Sequence, residues 1–91
     1  MSVKVQLPPV LRGVMGGERW LEADGSSIAA VLTDLASRHP SLGLHLFDEQ
    51  GAVRHNIVFL HAGEMIRAKD AGARQLHDGD EIVLTNALAG G

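Results

Sequence analysis

A single segment of the chain has clear helical periodicity, and it restricts the folds that the other residues can adopt. Its apolar side chains recur at i, i+3, i+4 and i+7 and so share one helix face: Ile28, Val31, Leu32 and Leu35. Ser26 or Ser27 can accept a hydrogen bond from an unpaired backbone N–H at the start of this helix, and Pro40 stops it. The pattern predicts one helix over about residues 27–38, whose single apolar face needs a sheet to cover it.

Segments typical of β-strands stand on both sides of this helix. Residues 3–7 alternate between apolar and polar, and residues 18–23 can pair with them in a hairpin across a flexible turn that contains Gly13, Gly16 and Gly17. Further strands are predicted at 57–60, 65–67 and 81–85, with turns at 61–64 and 78–79. Residues 42–47 are expected to form an ordered connection with one short helical turn. By analogy with known folds, the first and last strands should lie side by side and parallel at the centre of an α+β mixed sheet.

The alternation also assigns a face to each strand residue. The residues expected to pack on the helix are Val5, Leu7, Leu21, Val58, Leu60, Ile82 and Leu84. The open face should then carry Lys4, Gln6, Trp20, Val83 and Thr85. Trp20, the only tryptophan, is a candidate anchor for a partner on this face, the alternative being simple packing on a loop or on the stem of Arg19.

The composition argues against several classes of function. A chain of 91 residues makes one small domain. Its net charge of −3 argues against nucleic acid as the partner, because the phosphate backbone binds clustered positive charge. Lys4 and Lys69 are the only lysines, too few for a polybasic membrane patch. Cysteine is absent, which excludes disulfides and thiolate metal sites. Without a signal-peptide pattern or a run long enough to span a membrane, a cytoplasmic protein is expected.

The side chains that could carry chemistry lack the spacing of a catalytic or metal site. The five histidines are expected in loops and on the surface: His39, His45, His55, His61 and His77. Asp78-Gly79-Asp80-Glu81 resembles a fragment of a calcium loop, but the other ligand positions are missing, so a turn with solvated carboxylates is expected. We therefore expect no bound metal or cofactor and no catalytic residues of the chain's own.

The carboxyl end has a different character. After a domain at 1–85, the segment 86–91 is a tail that ends in Gly90-Gly91. Glycine gives nothing to pack and costs entropy to order, so the fold does not require it there. It does permit a thin tail to pass through a narrow cleft and present its terminal carboxylate to another protein.

Residues 76–84 (LHDGDEIVL) followed by Ala89-Gly90-Gly91 resemble the carboxyl-terminal signature of the MoaD/ThiS family of ubiquitin-like sulfur carriers. The resemblance extends over essentially the whole chain. It includes residues 3–12 as the first strand and residues 56–67 (NIVFLHAGEMIR) as a strand, turn and return strand, with Ala62 where asparagine is usual. The length and residues 42–51 are more similar to MoaD and to the carriers of a cysteine-biosynthesis route. The fold this implies is a β-grasp, with four to five strands packed on one main helix.

The resemblance also implies a function. An E1-like partner enzyme would use ATP and magnesium to adenylate Gly91, and a sulfur donor would convert it to a thiocarboxylate. Leu88, Ala89 and Gly90 would enter the partner's active site, while Trp20, Val83 and Thr85 are candidates for docking. The chain would act as a carrier or as the small subunit of a sulfur-transferring complex. The acceptor would be a molybdopterin synthase large subunit or an enzyme of the cysteine synthase type, and a metalloprotease could process the tail.

Two alternatives stay open at this point: an inert ubiquitin-like binding module, and a protein modifier that forms isopeptide bonds through Gly91. The tail also departs from the family pattern, because Thr85-Asn86-Ala87 stands where a large apolar residue and prolines are common. Prolines would hold a tail near the extended state, so their loss bears on docking more than on the chemistry at Gly91.

Overall fold

The structure is a computed structural model that describes residues 2–86. Strand β1 spans Ser2–Gln6 and is followed by the short helix α1 at Pro9–Arg12 and a 3-10 turn at Gly13–Met15. The remaining elements follow in this order: β2 at Trp20–Asp24, α2 at Ile28–Arg38, α3 at Pro40–Leu46, β3 at Ile57–His61, β4 at Glu64–Arg67, a 3-10 turn at Ala68–Asp70 and β5 at Glu81–Asn86.

The five strands form one mixed sheet in the order β2-β1-β5-β3-β4. β1 pairs with β5 in parallel, and the other neighbours are antiparallel. The predicted amino-terminal hairpin and the parallel pairing of first and last strands are both confirmed. The start of the parallel pair is closed by the 78–79 turn: Gly79 N–H donates to Ser2 O at 2.8 Å, and Ser2 N–H donates to Asp78 Oδ1 at 2.9 Å.

Helix α2 lies against one face of this sheet and forms where the sequence predicts it. Ser27 provides the cap, since its Oγ accepts a hydrogen bond from Ala30 N–H at 3.2 Å. The four stripe residues Ile28, Val31, Leu32 and Leu35 are fully buried. Backbone N–H groups of Ile28 and Ala29 donate to Arg74 O and Ala71 O, which fastens the helix start to the segment before β5.

The core prediction is wrong for β3, where Val58 and Leu60 face away from α2. Ile57 and Phe59 fill the core instead, and His61 follows them as a buried polar residue. Four consecutive apolar residues carry no alternation, so the sequence does not indicate which pair faces inward; the pairing with β5 decides it. Leu21 of β2 does face the core, although it is only partly buried.

Two connections are more regular than the sequence indicates. The segment 42–47 belongs to a seven-residue helix, α3, which buries Leu42 and Leu46. It packs so closely on α2 that a Cβ added to Gly43 would lie 2.9 Å from Ala36 Cβ. The segment before the turn at 13–17 forms helix α1, because Pro9 fixes a backbone angle suited to the first helical turn, and the turn itself begins as the 3-10 turn at Gly13–Met15.

The turn between β3 and β4 places a non-glycine residue in the left-handed region. Ala62 has φ 54° and Gly63 has φ 79°, both positive as a two-residue hairpin turn of type I′ requires. Gly63 adopts this angle at no steric cost, whereas the Cβ of Ala62 costs about 1–2 kcal/mol. The alanine therefore leaves local strain in a hairpin that supports one side of β5.

Ala62→Asn should stabilise the protein by about 0.5–1 kcal/mol, because asparagine tolerates the left-handed region far better than alanine does. Urea unfolding monitored by circular dichroism measures the change. Ala52→Asn, at another exposed loop alanine whose φ is not positive, serves as the matched control and should give no gain. Equal effects of the two substitutions would show that Ala62 stores no strain.

Candidate functional site

The strand that leads into the tail is the central strand of the sheet. The predicted attachment residue Gly91 and the tail residues Leu88, Ala89 and Gly90 lie outside the described residues. The structure does define where the tail starts, because the last residue pair of β5 joins Asn86 to Ile57 of β3. The five residues after Asn86 can carry Gly91 no farther than about 18 Å from it. Any partner that acts on Gly91 must therefore place its reactive site within about 18 Å of Asn86.

The open face of the sheet carries one register row that crosses all five strands. The row consists of Trp20, Gln6, Val83, Leu60 and Met65, each paired with the next across neighbouring strands. Four of its five members are apolar, and Met65 is 66 % exposed. We call this row the open-face stripe. Exposed apolar side chains that are contiguous in this way are typical of interaction sites.

Rows that carry polar or charged side chains border the stripe on both sides. Towards the start of β5, Lys4 lies between Glu22 and Glu81. Towards its end, Val58 lies between Thr85 and Arg67. An apolar centre with a charged rim is the usual composition of a protein interface.

The docking candidates Trp20, Val83 and Thr85 all lie on the open face, as predicted from the alternation. The Thr85 hydroxyl already donates to Val58 O at 3.0 Å, so it is engaged within the sheet. Sequence reasoning missed Leu60 and Met65 as members of this surface. The sequence does not indicate which face Leu60 occupies, because residues 57–60 are all apolar. Met65 lies on the open face because it pairs with Leu60.

Near the start of β5, opposite the end that leads into the tail, four side chains form a polar network. His61 Nε2 lies 2.8 Å from Asp80 Oδ2, and Arg74 Nε–H donates to His61 Nδ1 at 2.8 Å. Because Arg74 Nε–H can only donate, His61 Nδ1 is the acceptor of this hydrogen bond and Nε2–H donates to Asp80. Arg74 Nη2 also donates to His61 O at 3.2 Å and forms an ion pair with Glu64 Oε1 at 2.7 Å. The network joins the ends of β3 and β4 to the segment before β5.

This network corrects two expectations from the sequence. His61 is buried, not a surface histidine, because it is the inward-facing last residue of β3. The carboxylates of the 78–81 turn are not merely solvated: Asp78 accepts from Ser2 N–H, and Asp80 accepts from His77 N–H at 2.9 Å as well as from His61. Within residues 2–86, no group of three or more histidine, aspartate or glutamate side chains is arranged to hold a metal ion.

Comparison with known proteins agrees with this architecture and covers the tail as well. A model described as the ThiS family matches residues 5–91. The chain belongs to the ThiS family. The β-grasp expected from the sequence is likewise confirmed, as solved structures of this fold superpose on the entire chain.

Several proteins that are similar to this chain carry informative names. The sulfur carrier protein CysO of Mycobacterium tuberculosis is 30 % identical, with the whole of both chains covered. A crystal structure of the BexX/CysO complex of Amycolatopsis orientalis matches with TM-score 0.77 and 30 % identity over 98 % of this chain and 99 % of that one. SAMP1 of Haloferax volcanii matches with TM-score 0.82 and 26 % identity over all of both chains.

None of the helices within residues 2–86 has the length and hydrophobicity that a membrane span requires.

Asp80→Asn should lower the stability of this ThiS-family domain, and the loss should depend on pH. The hydrogen bond from His61 and then that from His77 N–H lower the pKa of Asp80 below its usual 3.8. Because the pKa of Asp80 is lower in the folded state, its ionised carboxylate stabilises the protein at pH values above the pKa of the unfolded state. This contribution disappears as the pH falls through the pKa of the folded state. The difference in unfolding free energy between the native chain and Asp80→Asn should therefore be constant above about pH 5 and shrink below about pH 4.

Urea titrations at several pH values measure this difference. Asp70→Asn serves as the matched control, because Asp70 is exposed and its carboxylate forms no ion pair within residues 2–86. A difference between the native chain and Asp80→Asn that does not change between pH 6 and pH 3 would mean that the Asp80 charge does not support the network.

Proposed function

We propose that this chain is a sulfur carrier whose Gly91 carboxylate is adenylated by an E1-like enzyme and then converted to a thiocarboxylate. The observation that carries the proposal is the family match, which extends through the terminal Ala89-Gly90-Gly91, together with sulfur carrier relatives that align over the whole chain. The anchoring of the tail on the central strand β5 supports it, because the domain then holds the start of the tail in a fixed position.

The chemistry explains why a partner must act first. A carboxylate resists nucleophilic attack, because an oxide-like group would have to leave. Adenylation by ATP joins the Gly91 carboxylate oxygen to the α-phosphorus and releases pyrophosphate, with magnesium in the partner enzyme neutralising the phosphates. A hydrosulfide equivalent then attacks the carbonyl carbon and AMP leaves, which places sulfur on Gly91. The chain supplies the substrate atom, and the partner supplies the catalytic groups.

The open-face stripe is the surface we assign to docking of the adenylating enzyme. It lies on the same strand that continues into the tail, since Val83 belongs to β5. An enzyme bound to the stripe would therefore stand close to the start of the tail. Trp20 is the aromatic member of the stripe, and Leu60 is the aliphatic member next to Val83. Tryptophan is enriched among the few residues that supply most of the binding energy of a protein interface, and an aliphatic side chain can also anchor such an interface.

The thiocarboxylate would pass its sulfur to an acceptor enzyme, of the molybdopterin synthase large subunit type or the cysteine synthase type. The CysO relatives favour the second type. A metalloprotease would enter the same proposal where further residues are attached to Gly91, because adenylation needs a free Gly91 carboxylate.

A second candidate function is protein modification, in which the Gly91 carboxylate forms an isopeptide bond with a lysine. The observation that favours it is the similarity to small archaeal modifier protein structures, one of which superposes with TM-score 0.82. Exact-mass measurement of the protein from its own cells separates the two functions. Replacement of one carboxylate oxygen by sulfur supports carriage, and adducts of higher mass support modification.

Deletion of Gly91 should abolish ATP–pyrophosphate exchange by the adenylating enzyme of the same genome while the domain stays folded. The deletion withdraws the carboxylate by up to about 3.5 Å, and an error of about 1 Å in a reacting group already costs on the order of a hundredfold. The matched control, Ala87→Gly, keeps the length of the tail and should retain exchange. Normal exchange by the truncated chain would contradict the proposed function.

Trp20→Ala and Leu60→Ala should each raise the Kd for the adenylating enzyme by about thirtyfold, as expected for interface anchors that contribute about 2 kcal/mol. Isothermal titration calorimetry measures the Kd, and thermal unfolding verifies that both variants are folded. Val14→Ala, which truncates a partly buried apolar side chain outside the stripe, should leave the Kd unchanged. An unchanged Kd for both stripe variants would show that the enzyme docks elsewhere.

A further inference from the structure

Two adjoining grooves flank the end of β5, where the tail begins. One groove of about 390 Å³ lies between Val10 of α1 and Leu44 of α3, with Ile57 and Thr85 in its wall. The other, of about 480 Å³, runs between α1 and Val83. Both include Val10, Leu84 and Thr85, so they form one continuous depression that we call the tail-root groove. It also reaches the open-face stripe through Gln6 and Val83.

The walls of the tail-root groove expose aliphatic side chains to an unusual degree. Val10 is 68 % exposed and Leu44 is 73 % exposed. The fold does not need either side chain for its core, which is filled by Leu11 beside Val10 and by Leu42 and Leu46 beside Leu44. Two large aliphatic groups on opposite sides of a groove offer apolar area to a side chain that enters between them.

The charge of the groove is opposite to that of the whole chain. The protein has 11 aspartates and glutamates and a net charge of −3, yet none of these acidic residues lines the tail-root groove. Its charged lining residues are Arg12 and Arg54. Neither arginine has an ion pair with any carboxylate of residues 2–86. A positive depression on an acidic protein selects a negatively charged partner.

Both arginines are held in place by backbone carbonyls. Arg54 Nε and Nη2 donate to Leu44 O at 3.3 and 3.0 Å, which places the guanidinium beside the exposed Leu44 side chain. Arg12 Nε donates to Leu7 O at 3.0 Å. A guanidinium that is already oriented loses less conformational freedom when it binds a carboxylate. The groove therefore combines fixed positive charge with an apolar wall.

We propose that the tail-root groove is a second docking surface, which binds an apolar side chain flanked by carboxylates on the adenylating enzyme at the opening of its tail cleft. The inference rests on the proposed function for the identity of this partner. The five residues of the tail after Asn86 are too short for the cleft opening to lie far from the groove. The open-face stripe supplies apolar contact area, and the groove adds charge that orients the carrier with its tail towards the cleft.

The test uses the full chain and the adenylating enzyme of the same genome, with two substitutions in the groove and one matched control. Arg54→Glu reverses the fixed charge, and Leu44→Glu places a carboxylate on the apolar wall without removing a hydrogen-bonding group. Lys69→Glu makes the same charge change as Arg54→Glu at an exposed residue that lines neither groove. Thermal unfolding establishes that each variant is folded.

Arg54→Glu and Leu44→Glu should each raise the Kd and the KM for the carrier about tenfold, while kcat at saturating carrier stays unchanged because Gly91 is intact. Arg54→Glu should also reduce the dependence of Kd on salt concentration. Lys69→Glu should stay within about twofold of the native chain.

The groove proposal is overturned if both groove variants behave like Lys69→Glu, or if the native chain does not bind the enzyme. The proposed function is judged separately, by whether deletion of Gly91 abolishes pyrophosphate exchange. Binding that depends on Arg54 without any exchange would keep the groove and reject the sulfur-carrier function.

Discussion

The parallel pairing of β1 with β5 is the constraint on which the rest of the structure depends. It joins strands from opposite ends of the chain, so every other element has to be accommodated in the crossover between them. Val5 and Ile82 are partners in this pair and both are buried under α2. Hydrogen bonds from Ser2 and Gly79 close the pair at its start, and Asp78 and Asp80 hold the turn that precedes β5. The acidic turn, which resembles a ligand loop in the sequence, thus serves to start the central strand.

Much of this arrangement could be predicted from residue patterns, for physical reasons that also explain the errors. Helix α2 has a cap, an apolar stripe and a proline stop, so local signals agree with the tertiary structure. β3 gave the wrong face because all of residues 57–60 are apolar, and only pairing with β5 distinguishes Phe59 from Leu60. The polar network was missed because Arg74 and His61 are 13 residues apart and meet only in the folded chain.

The candidate site likewise contains residues that the sequence pattern predicts and residues that only the folded structure reveals. The residues facing the open side of β1, β2 and β5 follow from simple alternation, and Trp20, Val83 and Thr85 lie where that rule places them. Leu60, Met65 and the tail-root groove depend on which strands and helices become neighbours, and this information is distributed over the whole sequence. The chemistry itself is indicated by the terminal glycines and by family membership, not by any cluster of reactive side chains in residues 2–86.

The position of β5 between β1 and β3 has a mechanical consequence. A partner that pulls on the tail applies force along a strand that is bonded on both sides, so the hydrogen bonds of two ladders bear the load together in shear. An edge strand such as β4 has one ladder and would separate more readily. On the proposed function, an enzyme that draws the tail into its cleft would therefore pull on a strand that resists separation from the domain. A degradative motor that engages the same end would first meet a strand held by two ladders.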